Sequence, residues 1–174
     1  MAEYVILVDR DDNEIGSMEK IEAHKNGGTL HRAFSVFIFN SEGKMLLQRR
    51  ALSKYHFSGL WTNTCCSHPR KGETTEEAAH RRLVEECGFD TGLKEITSFI
   101  YQADSDGELS EHEFDHVFIG NYEGEIKPNP EEIAEIKWVT IDELKEDVSN
   151  NPQNYTPWFK IVLDKVIEHF QGKT

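Results

Sequence analysis

At 174 residues the chain has room for one domain with a sizeable core and none for a second, since single domains commonly run to about 100–200 residues. A formal net charge of −13 argues against nucleic acid or an anionic membrane as partner, because affinity for either comes largely from Lys and Arg neutralising phosphates. Three cysteines, two of them adjacent, make a poor disulfide framework, nothing resembles a signal peptide, and no apolar run approaches the ~20 residues of a bilayer span, so the expectation is a soluble protein of the reducing cytoplasm, monomer or homodimer.

YVILV reads as a short buried strand, and after the DRDDNEIG turn MEKIEAHK carries helical signals that stop at the loop NGG. LHRAFSVFIFN is rich in aromatic and β-branched residues, and the turn cluster NSEG joins it to KMLLQRR as a hairpin. RALSKYHFSGL, from Arg50 to Leu60, has no period and is read as a loop of basic and aromatic side chains. Thr74 and Glu77 form a T-x-x-E capping box, EEAAHRRLVEE follows as a helix, and Gly88 ends it. EITSFIYQA and HEFDHVFIGNY flank a DSDG turn as a second hairpin, IKWVT is a further strand, and IDELKEDV a short helix. Thr156 caps and Pro157 starts a last helix that runs through Phe170. Antiparallel-looking strand pairs with irregularly interposed helices indicate a mixed α/β (α+β) domain and not a doubly wound parallel sheet.

The EEAAHRRLVEE helix places Arg81 and Glu85, and Arg82 and Glu86, four residues apart on shared faces. Alone, that pattern describes a solvated helix with two ion pairs. Elsewhere, His24 and His31 lie seven apart around NGG, His68 follows the cysteine pair, and Glu111 and Glu113 project from one face of a strand, about 7 Å apart along the chain. Like charges that close repel unless a cation or proton sits between them. Three imidazoles and two carboxylates suit Mn²⁺, Mg²⁺ or Zn²⁺. An exposed acidic strand, with Glu108, Asp115 and Glu123 nearby, accounts for the same spacing, and spacing alone favours that plainer reading.

Gly72-Glu73, seven residues, Arg81, then Glu85-Glu86-Cys87-Gly88 resembles the Nudix box, the loop-helix-loop with which that family binds divalent metal on a diphosphate. Two positions depart from it. Ser67 stands where the pattern begins with Gly, and Arg82 stands where hydrolases place a metal-binding Glu. A guanidinium removes one ligand and adds a bidentate phosphate donor, so the box is suited to holding a diphosphate without cleaving it, with Glu86 as the candidate Mg²⁺ contact.

The order H-x₆-H, RRALSK, W-T-N-x-x-C-x-H-P, altered Nudix box, E-x-E, TPW resembles the type I isopentenyl-diphosphate isomerases from about Lys20 to Trp158. The resemblance implies the Nudix fold, a mixed β-sheet sandwiched between α-helices. It also implies one divalent metal on His24, His31, His68, Glu111 and Glu113, and catalysis by Cys66. The implied reaction shifts the double bond of isopentenyl diphosphate to give dimethylallyl diphosphate in isoprenoid biosynthesis, through protonation, a tertiary carbocation and deprotonation. Cys66 and Glu113 would handle the two proton transfers, Tyr101 would relay or orient a proton, and the Trp158 ring would face the developing cation. Lys20, Arg50, Lys54 and Arg82 match basic positions that contact the diphosphate, which arrives with Mg²⁺. The rival readings are a Nudix hydrolase of nucleoside diphosphates and a metal-dependent binding module without turnover.

Overall fold

The computed structural model describes residues 3–54, 56–105 and 109–172. The expected DSDG turn lies partly outside them, as does Glu108.

The centre of the molecule is β3 (His31–Phe39), a run of apolar residues buried on both faces. Phe34, Val36 and Ile38 point to one side, where α2 (Thr75–Cys87) supplies Ala78, Ala79, Leu83 and Cys87. Phe37 and Phe39 point to the other, where α4 (Pro157–Phe170) supplies Trp158, Phe159, Val162 and Val166. A strand clothed by helices on both faces must be apolar throughout rather than alternating, as this one is. The sheet is therefore sandwiched between helices.

Around β3 the described residues form a mixed sheet. β1 (Tyr4–Val8) pairs with β2 (Glu14–Glu19) and, at one position, with β3; β4 (Met45–Arg50) pairs with β5 (Trp61–Thr62) and β9 (Ile133–Val139). β6 (Cys65–Ser67) runs antiparallel to β3, β8 (Ser110–Asn121) runs parallel to it, and β7 (Leu93–Asp104) is antiparallel to β8. The expected β3–β4 hairpin forms only at its turn, where Phe39 pairs with Met45. Beyond that point β3 takes β6 and β8 as neighbours, and β4 takes β9. The second expected hairpin, β7–β8, pairs along its whole length, from Leu93↔Gly120 to Asp104↔Ser110.

Two local readings are corrected. In MEKIEAHK only Met18 and Glu19 belong to β2, and the helical part is a single short helix α1, Lys20–Ala23, because the Glu19 carboxylate accepts from the Glu22 amide at 2.9 Å and caps it there. Trp61–Thr62 and Cys65–Ser67 are strands too short to show a period. Thr156 does occupy the N-cap of α4, but its hydroxyl makes no cap bond and pairs instead with Thr62 Oγ1 at 2.8 Å. The Thr74–Glu77 box on α2 forms with both bonds, at 3.1 and 2.9 Å, and Gly88 ends the helix in the left-handed region at φ 74°. A second box, Thr140–Glu143, caps α3 (Ile141–Asn150). Among the described residues no helix is long and apolar enough to cross a membrane.

Candidate active site

The site grows from the parity of three strands on the α4 side of the sheet. On β8, Glu111, Glu113 and Asp115 share the face of Val117, which packs in the α4 core, and they are 3%, 5% and 1% exposed. They are not an exposed acidic strand. On β3, His31 lies beside Glu113 in the parallel register. On β6, Cys66 pairs with Ser35 and packs against the α4 core, while Cys65 turns the other way into the α2 core as packing.

His24 arrives from the end of α1. Its carbonyl accepts from the Ser110 amide at 2.6 Å, which ties the helix to the start of β8. The NGG loop between His24 and His31 must also run against β8. A Cβ on Gly28, at φ +85°, would lie 3.0 Å from His112 Cβ, so only glycine fits there.

His24, His31, His68, Glu111 and Glu113 thus converge, with one ligand atom from each lying within 4.8 Å of every other. The hydrogen bonds behind the rings fix their orientation. His24 Nδ1 lies 2.6 Å from the Lys20 carbonyl and His31 Nδ1 lies 2.7 Å from the Thr29 carbonyl. A carbonyl only accepts, so each Nδ1 carries the proton and each neutral ring turns an Nε2 lone pair inward, the arrangement usual for metal-binding histidines. His31 Nε2 and Glu111 Oε1 are buried without a hydrogen bond of good geometry. Convergent imidazole nitrogens and carboxylates are the donor set of a divalent cation, and these five residues fit one.

The charges agree. Burial opposes ionisation of Glu111, yet its bonds to His24 and His56 outweigh it and hold the carboxyl well below its ordinary range. Glu113 is likewise lowered, burial and Glu111 being outweighed by His31 and His68. Burial pushes His68 down to about 4. Burial also opposes the imidazolium of His24, but the neighbouring Glu111 outweighs burial and raises its pKa.

One cavity adjoins this cage. Its walls include Cys66, Ser67, His68, Glu111, Glu113 and Trp158 together with all four expected cations, Lys20, Arg50, Lys54 and Arg82. Burial raises the Cys66 thiol far above its ordinary pKa despite Arg50, so it holds its proton at neutral pH. Tyr101 is behind Glu113, donating its hydroxyl to Oε1. Trp158 donates Nε1–H to Asn63 Oδ1 at 3.3 Å, and the Arg50 guanidinium lies 5.5 Å from its ring centroid. Arg50 also points Nη1 at Cys66 Sγ, 3.9 Å away, so it reaches the thiol end of the cavity. Glu86 is buried away from the cavity wall, with Oε2 on Arg82 at 2.8 Å and Oε1 on Gln48 at 3.1 Å.

Four residues escaped the sequence reading. His56 Nε2 lies 2.8 Å from the second oxygen of Glu111, and Glu132 bridges Lys54 at 2.6 Å and Arg82 at 3.4 Å. Glu3 pairs with Lys20 at 3.2 Å. Asp115, raised well above its ordinary pKa by burial and then by Glu113, accepts from Ser35 at 2.8 Å. Only Asp115 follows a spaced pattern, two residues beyond Glu113 on the same face of β8, and in sequence it reads as an acidic neighbour; His56 sits in the loop from Arg50 to Leu60, which has no period.

A NUDIX domain model matches residues 29–159. An isopentenyl-diphosphate Delta-isomerase of Serratia proteamaculans is 52% identical over 163 residues, covering 94% of this chain and 90% of the relative. The isopentenyl-diphosphate Delta-isomerase 2 of Photorhabdus laumondii is 51% identical, covering 94% and 92%. The chain belongs to the isopentenyl-diphosphate Delta-isomerase family of the Nudix superfamily. Solved structures support the fold: DR0079 of Deinococcus radiodurans superposes with a TM-score of 0.70 at 24% identity, covering 86% of this chain and 90% of that one. A MutT protein of Methanosarcina mazei gives 0.66 at 18% identity, covering 80% and 94%. The chain is thus an isomerase on a Nudix scaffold, with an Arg82–Glu86 ion pair at the box position where the hydrolase pattern places another carboxylate.

Proposed function

We propose that this isomerase converts isopentenyl diphosphate to dimethylallyl diphosphate in the cytoplasm, with the chemistry confined to the cavity between the cage and Trp158. The single observation that carries the reading is the placement of Cys66 and Glu113 on the walls of one cavity that four cations also line.

Lys20, Arg50, Lys54 and Arg82 bind the diphosphate, each now held near a carboxylate, a thiol or a ring that the anion would replace or share. Glu86 is the candidate contact for Mg²⁺ carried with the diphosphate, sharing its Oε2 with Arg82. A concentrated patch of cations explains how a chain of net charge −13 attracts a polyanion.

At the other end, a proton is added to the terminal alkene carbon, the adjoining tertiary carbon becomes cationic, and a proton leaves the carbon beyond it as the new double bond forms. Cys66 and Glu113 each handle one of these transfers and exchange roles in the reverse direction. Tyr101, hydrogen-bonded to Glu113, orients that carboxyl. The Trp158 ring presents its π face to the cation, and burial of the site keeps water from trapping it. Mn²⁺, Mg²⁺ or Zn²⁺ bound by His24, His31, His68, Glu111 and Glu113 would lower the proton affinity of Glu113 and fix its carboxylate.

The test is isomerisation in Mg²⁺ buffer made with D₂O, comparing the parent with Cys66→Ala and Glu113→Gln. Deuterated dimethylallyl product from the parent alone supports the reaction and both residues. A folded, metal-loaded parent that gives no product, or that releases phosphate from nucleoside diphosphates, ends the reading.

A further inference from the structure

We propose that His56 is a positioning residue of the metal cage, holding Glu111 so that only its Oε1 is offered to the ion. The inference rests on the cage reading above and adds a residue to it.

His56 Nε2 lies 2.8 Å from Glu111 Oε2, while Glu111 Oε1 faces His24 and, at 3.9 Å, His31. The two oxygens of one carboxylate are thus divided between the cage and the fourth imidazole. His24 and His31 give their Nδ1 protons to backbone carbonyls and turn lone pairs inward. His56 Nε2 instead faces the outer oxygen, Oε2, which can only accept, and His56 is not among the five residues whose ligand atoms converge, so a proton on its Nε2 bridges to the carboxylate. A protonated ring nitrogen cannot ligate. His56 stands outside the set of five and acts on the metal through Glu111. Such hydrogen bonds to a ligating carboxylate commonly change metal affinity by about 10–100-fold when removed.

The loop around His56 is built to hold it. Arg50 donates to the His56 carbonyl at 3.2 Å, and the Phe57 amide donates to Ser105 Oγ at 3.1 Å. Phe57 adopts φ 50°, a conformation costly for a bulky residue, while its ring packs edge-on against Trp158 at 5.4 Å. The His56 ring stands 4.8 Å from His24 at 74°, wedged beside the cage rather than on the surface. A bulky residue held in the left-handed region by packing on both sides fixes the direction in which its neighbour points.

Mn²⁺ binding to the full-length protein, followed by electron paramagnetic resonance, tests this without substrate. Phe at position 56 fills the volume and removes the donor, while Gln restores an N–H. His56→Phe is expected to weaken Mn²⁺ binding about 10–100-fold and His56→Gln to recover most of the loss, both with the metal-free melting temperature of the parent. Electron spin-echo modulation should count the same imidazole nitrogens on Mn²⁺ in the parent and in His56→Phe. Unchanged affinity in His56→Phe overturns the proposal while leaving the cage intact, and the loss of one coordinated nitrogen would make His56 a ligand, overturning it too. A parent that binds no Mn²⁺ sinks the cage reading and this inference with it. Should His56→Phe fail to fold, His56→Leu poses the same question.

Discussion

Tyr101 and Glu113 occupy paired positions on β7 and β8, and the phenol donates to Glu113 Oε1 inside the core. The other oxygen, Oε2, faces His68 at 2.9 Å and His31 at 3.4 Å. The same carboxylate therefore has one oxygen for the cage and one for a neutral donor whose own ionisation is suppressed, by burial first and then by Glu113. Tyr101→Phe removes the donor and keeps the ring. A buried hydrogen bond to a charged group is worth about 1.5–3 kcal/mol, so kcat should fall about 10–100-fold with KM nearly unchanged in steady-state assays. A parallel rise in KM would place Tyr101 in substrate binding instead.

The cage joins α1, β3, β6 and β8, so an ion bound there clamps four elements that no disulfide connects. Ion present at about 100 times its dissociation constant stabilises the folded state by about 2.7 kcal/mol. For a chain of this size that corresponds to roughly 5–10 °C in melting temperature. Chelation should lower the calorimetric midpoint by that amount, and Mn²⁺ should restore it. In a His24→Ala, Glu111→Ala double variant, the metal-dependent difference should vanish.

Glu132 lies between Lys54 and Arg82. Burial raises its pKa, but the ammonium of Lys54 and the guanidinium of Arg82 outweigh burial and bring it below the ordinary 4.5. A carboxyl with a depressed folded pKa contributes stability above its unfolded pKa and loses it as pH falls through the folded value. Because these partners are partly exposed, the contribution is about 1 kcal/mol or less, or roughly 1–4 °C. Glu132→Gln should melt lower than the parent at pH 7, and the gap should close below about pH 4.5. A gap that persists at pH 3 would make the loss one of packing.

What the sequence reveals of this molecule follows from which interactions are local. The capping box of α2, its Gly88 stop and the β7–β8 ladder are legible because each is decided within a few residues or by two strands adjacent in the chain. The β3–β4 hairpin misleads because β3 is apolar on both faces, and the partners that win, β6 and the parallel β8, arrive from about 30 and 80 residues away. The five candidate cage residues are found through ordered motifs, and the fold brings a ligand atom of each within 4.8 Å of the others. His56 and Glu132 carry no such spacing: His56 matters through Glu111, and Glu132 through Lys54 and Arg82, relations that exist only once the loop carrying His56 and Lys54 has folded against the start of β8 and of β9.

Trp158 closes the thiol end of the cavity, with its indole N–H on Asn63 and the Arg50 guanidinium 5.5 Å from its ring centroid. The ring already holds the Arg50 guanidinium in a cation–π contact, and under the proposed mechanism it also lines the cavity in which the carbocation forms. A desolvated contact of this kind is worth up to about 2 kcal/mol, or roughly 30-fold in rate if it develops only in the transition state. Trp158→Phe keeps a weaker π face and Trp158→Leu keeps none, so kcat should descend in the order Trp, Phe, Leu while KM moves little. Both variants lose the bond to Asn63 and some core volume, so melting temperature alone cannot separate the roles; the graded kcat can, because packing loss would lower Phe and Leu without regard to aromaticity. Full turnover in a folded Trp158→Leu protein would leave Trp158 as core packing on α4 and shift the stabilisation of the cation to the surrounding carboxylates.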